Sequence, residues 1–218
     1  MNKYDELIAN LSRDVAPVSQ APRVNMLAMT WFLLSAIYVV VVTHMFGPTR
    51  SGAFSQLATE PRFLMESLLG VAAILWTSLL AFRAAIPAAL TRQFAVGGLV
   101  LMALWLAQYV IGLVSPALEP SMLGKRNHCY FETMIYAVPP ILIGLFLIRR
   151  LYPLRFVRTA MSLSLAAGML PALYMQLACM YEPVHILSFH ILPGLLMVLA
   201  GAAIASLWRR RRVASNGR

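Results

Sequence analysis

The sequence predicts an all-α, polytopic membrane protein with six transmembrane helices and both termini on the inner side. Three observations predict it. The first is composition: 60% of the 218 residues are hydrophobic and 12% are charged, with a mean hydropathy of +0.73, whereas soluble chains carry about twice that charged fraction. The second is a series of apolar runs, each near the roughly 20 residues that cross a bilayer as a helix. The third is the grouping of the basic residues in alternate loops between those runs.

The first element is a polar leader, residues 1–25. Its "YDELIANLSRDV" repeats Tyr4, Leu7, Ile8, Leu11 and Val15 at three- and four-residue intervals, while Asp5, Glu6, Arg13 and Asp14 take other faces. That pattern is a short amphipathic helix, with Asn2 placed to cap it and Asp5 and Glu6 favourable in its first turn. Pro17 and Pro22 end it. Three acids against two bases argue against a helix lying on anionic lipid, which would want basic flanks. Docking into a groove on a cytoplasmic protein, with Leu7, Ile8 and Leu11 as anchors, fits better. Packing against the chain's own inner loops is the alternative.

The membrane domain, residues 26–208, follows as spans over 26–46, 63–82, 94–114, 130–148, 156–178 and 184–208. The first begins well inside the chain and is long for a signal-peptide core, so it reads as an anchor. With the N-terminus inside, the inner segments hold fourteen Lys and Arg residues, among them Arg149 and Arg150, and the outer segments hold four: Arg50, Arg62, Lys125 and Arg126. That bias sets the orientation and turns the net charge of +10 into topology. The basic tail, 209–218, holds the last span in place against anionic lipid. It lacks the aromatic-basic interleaving of a nucleic-acid contact, so the bilayer is the expected partner there and direct nucleic-acid binding is not. Gly97, Gly98, Pro139, Pro140, Gly168, Pro171, Pro193 and Gly194 within the spans mark close packing or kinks. Glu66, Gln108 and Gln176 read as helix-to-helix hydrogen bonds. With the spans assigned, only short loops and the leader remain, too little for a soluble catalytic domain; the expectation is not an enzyme.

Chemistry gathers at the outer face. The two cysteines of the chain, Cys129 and Cys179, fall at the outer start of the fourth span and the outer end of the fifth. A short inner loop joins these spans, which makes them antiparallel neighbours and sets both thiols at one depth. His128 and Glu132 flank Cys129; Glu182 and His185 follow Cys179; His190 lies further into the sixth span and His44 at the end of the first. Two thiols at matching depth suit a disulfide in an oxidising compartment. Thiolate and imidazole together also suit a soft or borderline divalent metal, with Cys129, Cys179 and His185 as ligands, and imidazolium nearby makes a thiol more reactive. No cofactor is required; a heavy-metal ion held transiently at the cysteine pair is the one group this pattern allows.

Six spans, the "DELIANL" leader and the outer cysteine pair resemble the NrsF-type anti-sigma factors (negative regulators of sigma F). The resemblance covers essentially the whole chain. It is strongest from "CYFETMIYAVPPILIGLFLIRR" to "LACMYEPVHILSFHILPGLLMVLAGAAIASLWRRR". Where members often carry Pro directly after the second cysteine, this chain has Met180, with Pro183 following. The resemblance implies that Cys129 and Cys179 are signal-sensing residues. It also implies an extracytoplasmic-function sigma factor as partner on the cytoplasmic face of a bacterial inner membrane, released under metal or oxidative stress. Leu7, Ile8, Leu11 and Asp5 in the leader, and Arg149 and Arg150 in the inner loop, are the segments placed to meet it.

Two other functions fit the residues less well. A small transporter or channel for a metal or solute would want inverted repeats with matching mid-membrane polar residues, and spans one to three do not repeat in four to six. A membrane thiol oxidoreductase would want a C-x-x-C pair with a second dithiol, and the chain has neither.

Overall fold

The computed structural model describes residues 3–13 and 23–216. Six helices in it are long and apolar enough to cross a membrane. They are α2 (Val24–Met45), α4 (Pro61–Ala84), α5 (Arg92–Gly112), α6 (Cys129–Arg149), α7 (Phe156–Ala178) and a composite last span. The composite joins α8 (Pro183–Ile186), a π turn (Leu187–Ile191) and α9 (Leu192–Asn216). Every expected span lies within two residues of an observed one at both ends. The sequence reading missed α3 (Ala53–Thr59), a short helix in the loop after α2, and the π turn. It also missed an isolated antiparallel bridge between Ser121 and Tyr181.

Alternation of the spans gives the bundle two ends. One gathers the end of α2, the starts of α4, α6 and α8, and the ends of α5 and α7; it carries both cysteines. The other gathers the α6–α7 loop and the end of α9, and carries most of the arginines.

Helix α7 is the axis of the bundle. Within its span 67% is buried against other helices, compared with 22% for α5, and it packs on α2, α4, α6 and α9. Lipid is as apolar as leucine, so close approach of backbones supplies much of the attraction between such helices. Gly168 on α7 and Gly194 on α9 meet in this way: a Cβ on Gly168 would stand 2.3 Å from the Gly194 carbonyl oxygen. A Cβ on Gly144 of α6 would stand 2.6 Å from the Leu163 side chain of α7. Pro139 and Pro140 lie inside α6, and the Trp31 indole of α2 donates to the Pro140 carbonyl at 3.1 Å.

Polar groups inside the bundle are joined across helices, as the sequence suggested. Tyr109 of α5 donates to Gln176 Oε1 of α7 at 2.6 Å, and Arg62 pairs with Glu66 at 3.4 Å on α4. With its amide nitrogen turned toward α4, Gln108 donates to both Glu66 oxygens. Ser67, Thr77 and Ser78 instead donate to carbonyls one turn back on their own helix, which satisfies a hydroxyl in an apolar setting.

The leader forms α1 (Lys3–Arg13), with Asp5 and Glu6 in its first turn. Leu7, Ile8 and Leu11 are 55–64% exposed, so the apolar stripe has no cover among the described residues. The expected cap Asn2, Asp14, Val15, and the helix-ending Pro17 and Pro22 lie outside them. The basic tail continues α9 as helix through Asn216.

Candidate thiol–imidazole site

Cys129 is the first residue of α6, and its side chain is 2% exposed. Cys179 caps the end of α7: its N–H still donates to Met175 while its own backbone has turned extended. It is fully buried. The two sulfurs lie 3.0 Å apart and are not bonded. The Cys129 S–H reaches the Arg126 carbonyl at 3.2 Å, and its sulfur is in hydrogen-bond contact with Cys179 Sγ.

The chain after Cys179 builds the rest of the site. Tyr181 pairs with Ser121, whose N–H donates to the Tyr181 carbonyl at 2.8 Å. Glu182 then accepts from the Val184 and His185 N–H groups and starts α8 with Pro183 at its first position, where a missing N–H costs nothing. This places Pro183 as a helix start, so the turn after Cys179 is made by Glu182 capping. His185 Nε2 comes to 3.6 Å from Cys179 Sγ, with its ring stacked on Phe189 at 4.8 Å.

His190 closes the group because of the π turn. Five residues along an α-helix is a rotation of about 140° from the starting face. Through the π turn, with its i→i+5 bonding, His190 returns toward His185, and the two rings meet edge to face at 5.0 Å. His190 is completely buried, and neither ring nitrogen has a hydrogen-bond partner among the described residues. A buried polar group left unpaired costs about 1–3 kcal/mol, so the site carries an unmet demand. One ligand atom from each of Cys129, Cys179, His185 and His190 lies within 4.8 Å of all the others.

Other residues singled out in the sequence take different partners. Glu132 pairs with Arg126 at 2.7 Å. Arg126 is itself buried and also donates to the Pro48 and Thr43 carbonyls, at 2.7 and 3.3 Å. Glu182 is engaged as the cap of α8. His128 is exposed at the start of α6, and His44 bonds to the Tyr174 hydroxyl at 2.7 Å. At the opposite end, Arg150 lies over the Phe146 ring and Arg149 over Trp208, so these neighbours point to different surroundings.

The electrostatics favour one thiolate. A hydrogen bond from Cys129 holds Cys179 well below the usual thiol range, against the burial that pushes it up, and the His185 imidazole lowers it further. A thiolate paired with a thiol is chemically ready for oxidation, and two sulfurs with two ring nitrogens fit the tetrahedral preference of zinc-like and softer divalent ions. The unpaired nitrogens of His190 are the observation that fits such an ion.

Neither a curated protein nor a solved structure matches the chain. A family model described as negative regulator of sigma F matches residues 11–210. That match takes in all six apolar spans and all four residues of the site, and the chain belongs to the NrsF family of negative regulators of sigma F.

Proposed function

We propose that this protein is a multi-pass anti-sigma factor of the bacterial inner membrane. It holds an extracytoplasmic-function sigma factor at the cytoplasmic face and releases it when the Cys129–Cys179 pair reacts. Family membership supports the regulatory role, and the 3.0 Å thiol contact beside two imidazoles supports the sensor. In this reading both termini are cytoplasmic, and the exposed stripe of Leu7, Ile8 and Leu11 is the sigma-binding surface, with Asp5 beside it.

Two inputs fit the site, and they move it in opposite directions. A peroxide reacts with the Cys179 thiolate to give a sulfenic acid and hydroxide. Cys129 then displaces water from that sulfur, losing its proton and forming the disulfide, so the pair gives up two electrons in all. The sulfurs must close from 3.0 Å to about 2.05 Å. A tetrahedral ion with metal–sulfur bonds of about 2.3 Å instead needs the sulfurs about 3.8 Å apart. Since the sulfurs cap the adjoining ends of α6 and α7, either event displaces one helix against the other by close to 1 Å. A tenfold drop in sigma affinity needs a coupling of about 1.4 kcal/mol.

The test is Cys129→Ser with Cys179→Ser, followed by the sigma factor's target-gene expression. The expected outcome is normal repression at rest and loss of induction by cadmium and by peroxide. Full induction of the double variant by both would end the sensor assignment.

A further inference from the structure

At the end of the bundle away from the thiols, the α6–α7 loop and the end of α9 line an open cavity of about 740 Å³. Its lining includes the guanidinium-bearing Arg149, Arg155, Arg158 and Arg209, and no carboxylate. None of these four arginines has a carboxylate partner among the described residues. Four uncompensated cations around one cavity repel each other, and the arrangement is favourable when an anion sits among them. The planar, multi-donor guanidinium is the side chain best matched to phosphate oxygens.

Depth selects the source of the phosphate. Arg149 is the last residue of its span, Arg155 and Arg158 bracket the start of the next, and Arg209 lies one residue from the end of the last. All four therefore stand where apolar helix gives way to polar loop, the level of lipid headgroups. The aromatic floor agrees: Phe156 and Trp208 stack with ring centroids 6.4 Å apart and nearly parallel, and Trp is favoured at that interface. Leu154, also in the lining, is 82% exposed and offers an apolar contact beside the charged groups.

We infer that this cavity is a binding site for the phosphate headgroup of an anionic membrane lipid. The inference is independent of the thiol sensor. It removes Arg149 from the sigma-binding surface and assigns it to the membrane.

The test is native mass spectrometry of the full-length protein in mild detergent with added phosphatidylglycerol, phosphatidylcholine or inorganic phosphate. Each arginine at the headgroup level contributes about a fivefold effect, so Arg155→Gln with Arg158→Gln should weaken phosphatidylglycerol binding by about 30-fold and leave phosphatidylcholine unchanged. Arg92→Gln, outside the cavity, should leave both unchanged. Arg209→Gln alone should weaken phosphatidylglycerol about fivefold, and carries the test if the double variant does not fold. Undiminished phosphatidylglycerol binding by the folded variants overturns the site. Inorganic phosphate bound with no preference for the lipid overturns the lipid assignment. Loss of sigma-factor binding with lipid binding intact overturns it in favour of a protein partner.

Discussion

Gly168→Ala tests the contact on which the α7–α9 pair depends. The new methyl would stand 2.3 Å from the Gly194 carbonyl oxygen and 3.1 Å from Met197 Cβ. An ordinary contact there is about 3.4 Å, so the helices must part by roughly 1 Å, and a backbone carbonyl cannot swing aside as a side-chain tip can. Overpacking of this kind costs about 1–3 kcal/mol. Gly194→Ala is milder: its nearest neighbour is the flexible Met169 Cε at 2.6 Å, and the opposing Gly168 oxygen is at 2.7 Å. At Gly112 the nearest atoms are 4.0 Å away, so alanine there is the control. The assay is thermal unfolding in detergent, where 1 kcal/mol corresponds to about 2–4 °C for a chain of this size. The expected order of loss is Gly168→Ala, then Gly194→Ala, then Gly112→Ala near zero. If Gly168→Ala melts with Gly112→Ala, α7 and α9 do not touch there and the described packing is wrong.

Two further outcomes follow from the thiol end. His190→Leu should act with opposite signs on two measurements: it removes unpaired buried nitrogens and raises the melting point of metal-free protein, while weakening cadmium binding at least roughly tenfold. A fall in both would mean that His190 is held by packing and not poised for an ion. Cys129→Ala should raise the Cys179 pKa toward the usual value of about 8.5, because the hydrogen bond that holds it low is gone. Thiolate ultraviolet absorbance against pH checks it, and an unmoved midpoint would refute the Cys129–Cys179 coupling.

The membrane architecture was legible because a bilayer imposes one length and one polarity on every span, and "FVRTAMSLSLAAGMLPALYMQLA" satisfies both without knowledge of its neighbours. The pairing of Cys129 with Cys179 was legible for the same reason: a short connection fixes two antiparallel helices, and position along each then fixes depth. His190 was harder. Its place beside the thiols depends on the extra residue in the turn Leu187–Ile191, and hydropathy carries no mark of a π turn. The two histidines of "HILSFH" are five apart, a spacing that puts them on different faces of an ordinary helix. The roles of Glu132 and Arg126 were also hidden, because their pairing and the two carbonyls that Arg126 reaches come from loop geometry. The cavity behind "RRLYPLRFVR" was not legible either: Arg209 joins it from a helix more than fifty residues away in the chain.

The Arg126 contacts bear on which helix feels the thiols first. This one side chain is bonded to the carbonyls of Thr43 and Pro48, at and beyond the end of α2, while its own carbonyl receives the Cys129 thiol. The fit is tight enough that a Cβ on Gly47 would stand 2.5 Å from the guanidinium. Arg126 therefore ties the first residue of α6 to the far end of α2. Of the six spans, α2 is the one that runs on along the chain toward α1. In the proposed sensor reading, a change at the sulfurs would reach the far end of α2 through this one residue, ahead of the core around α7.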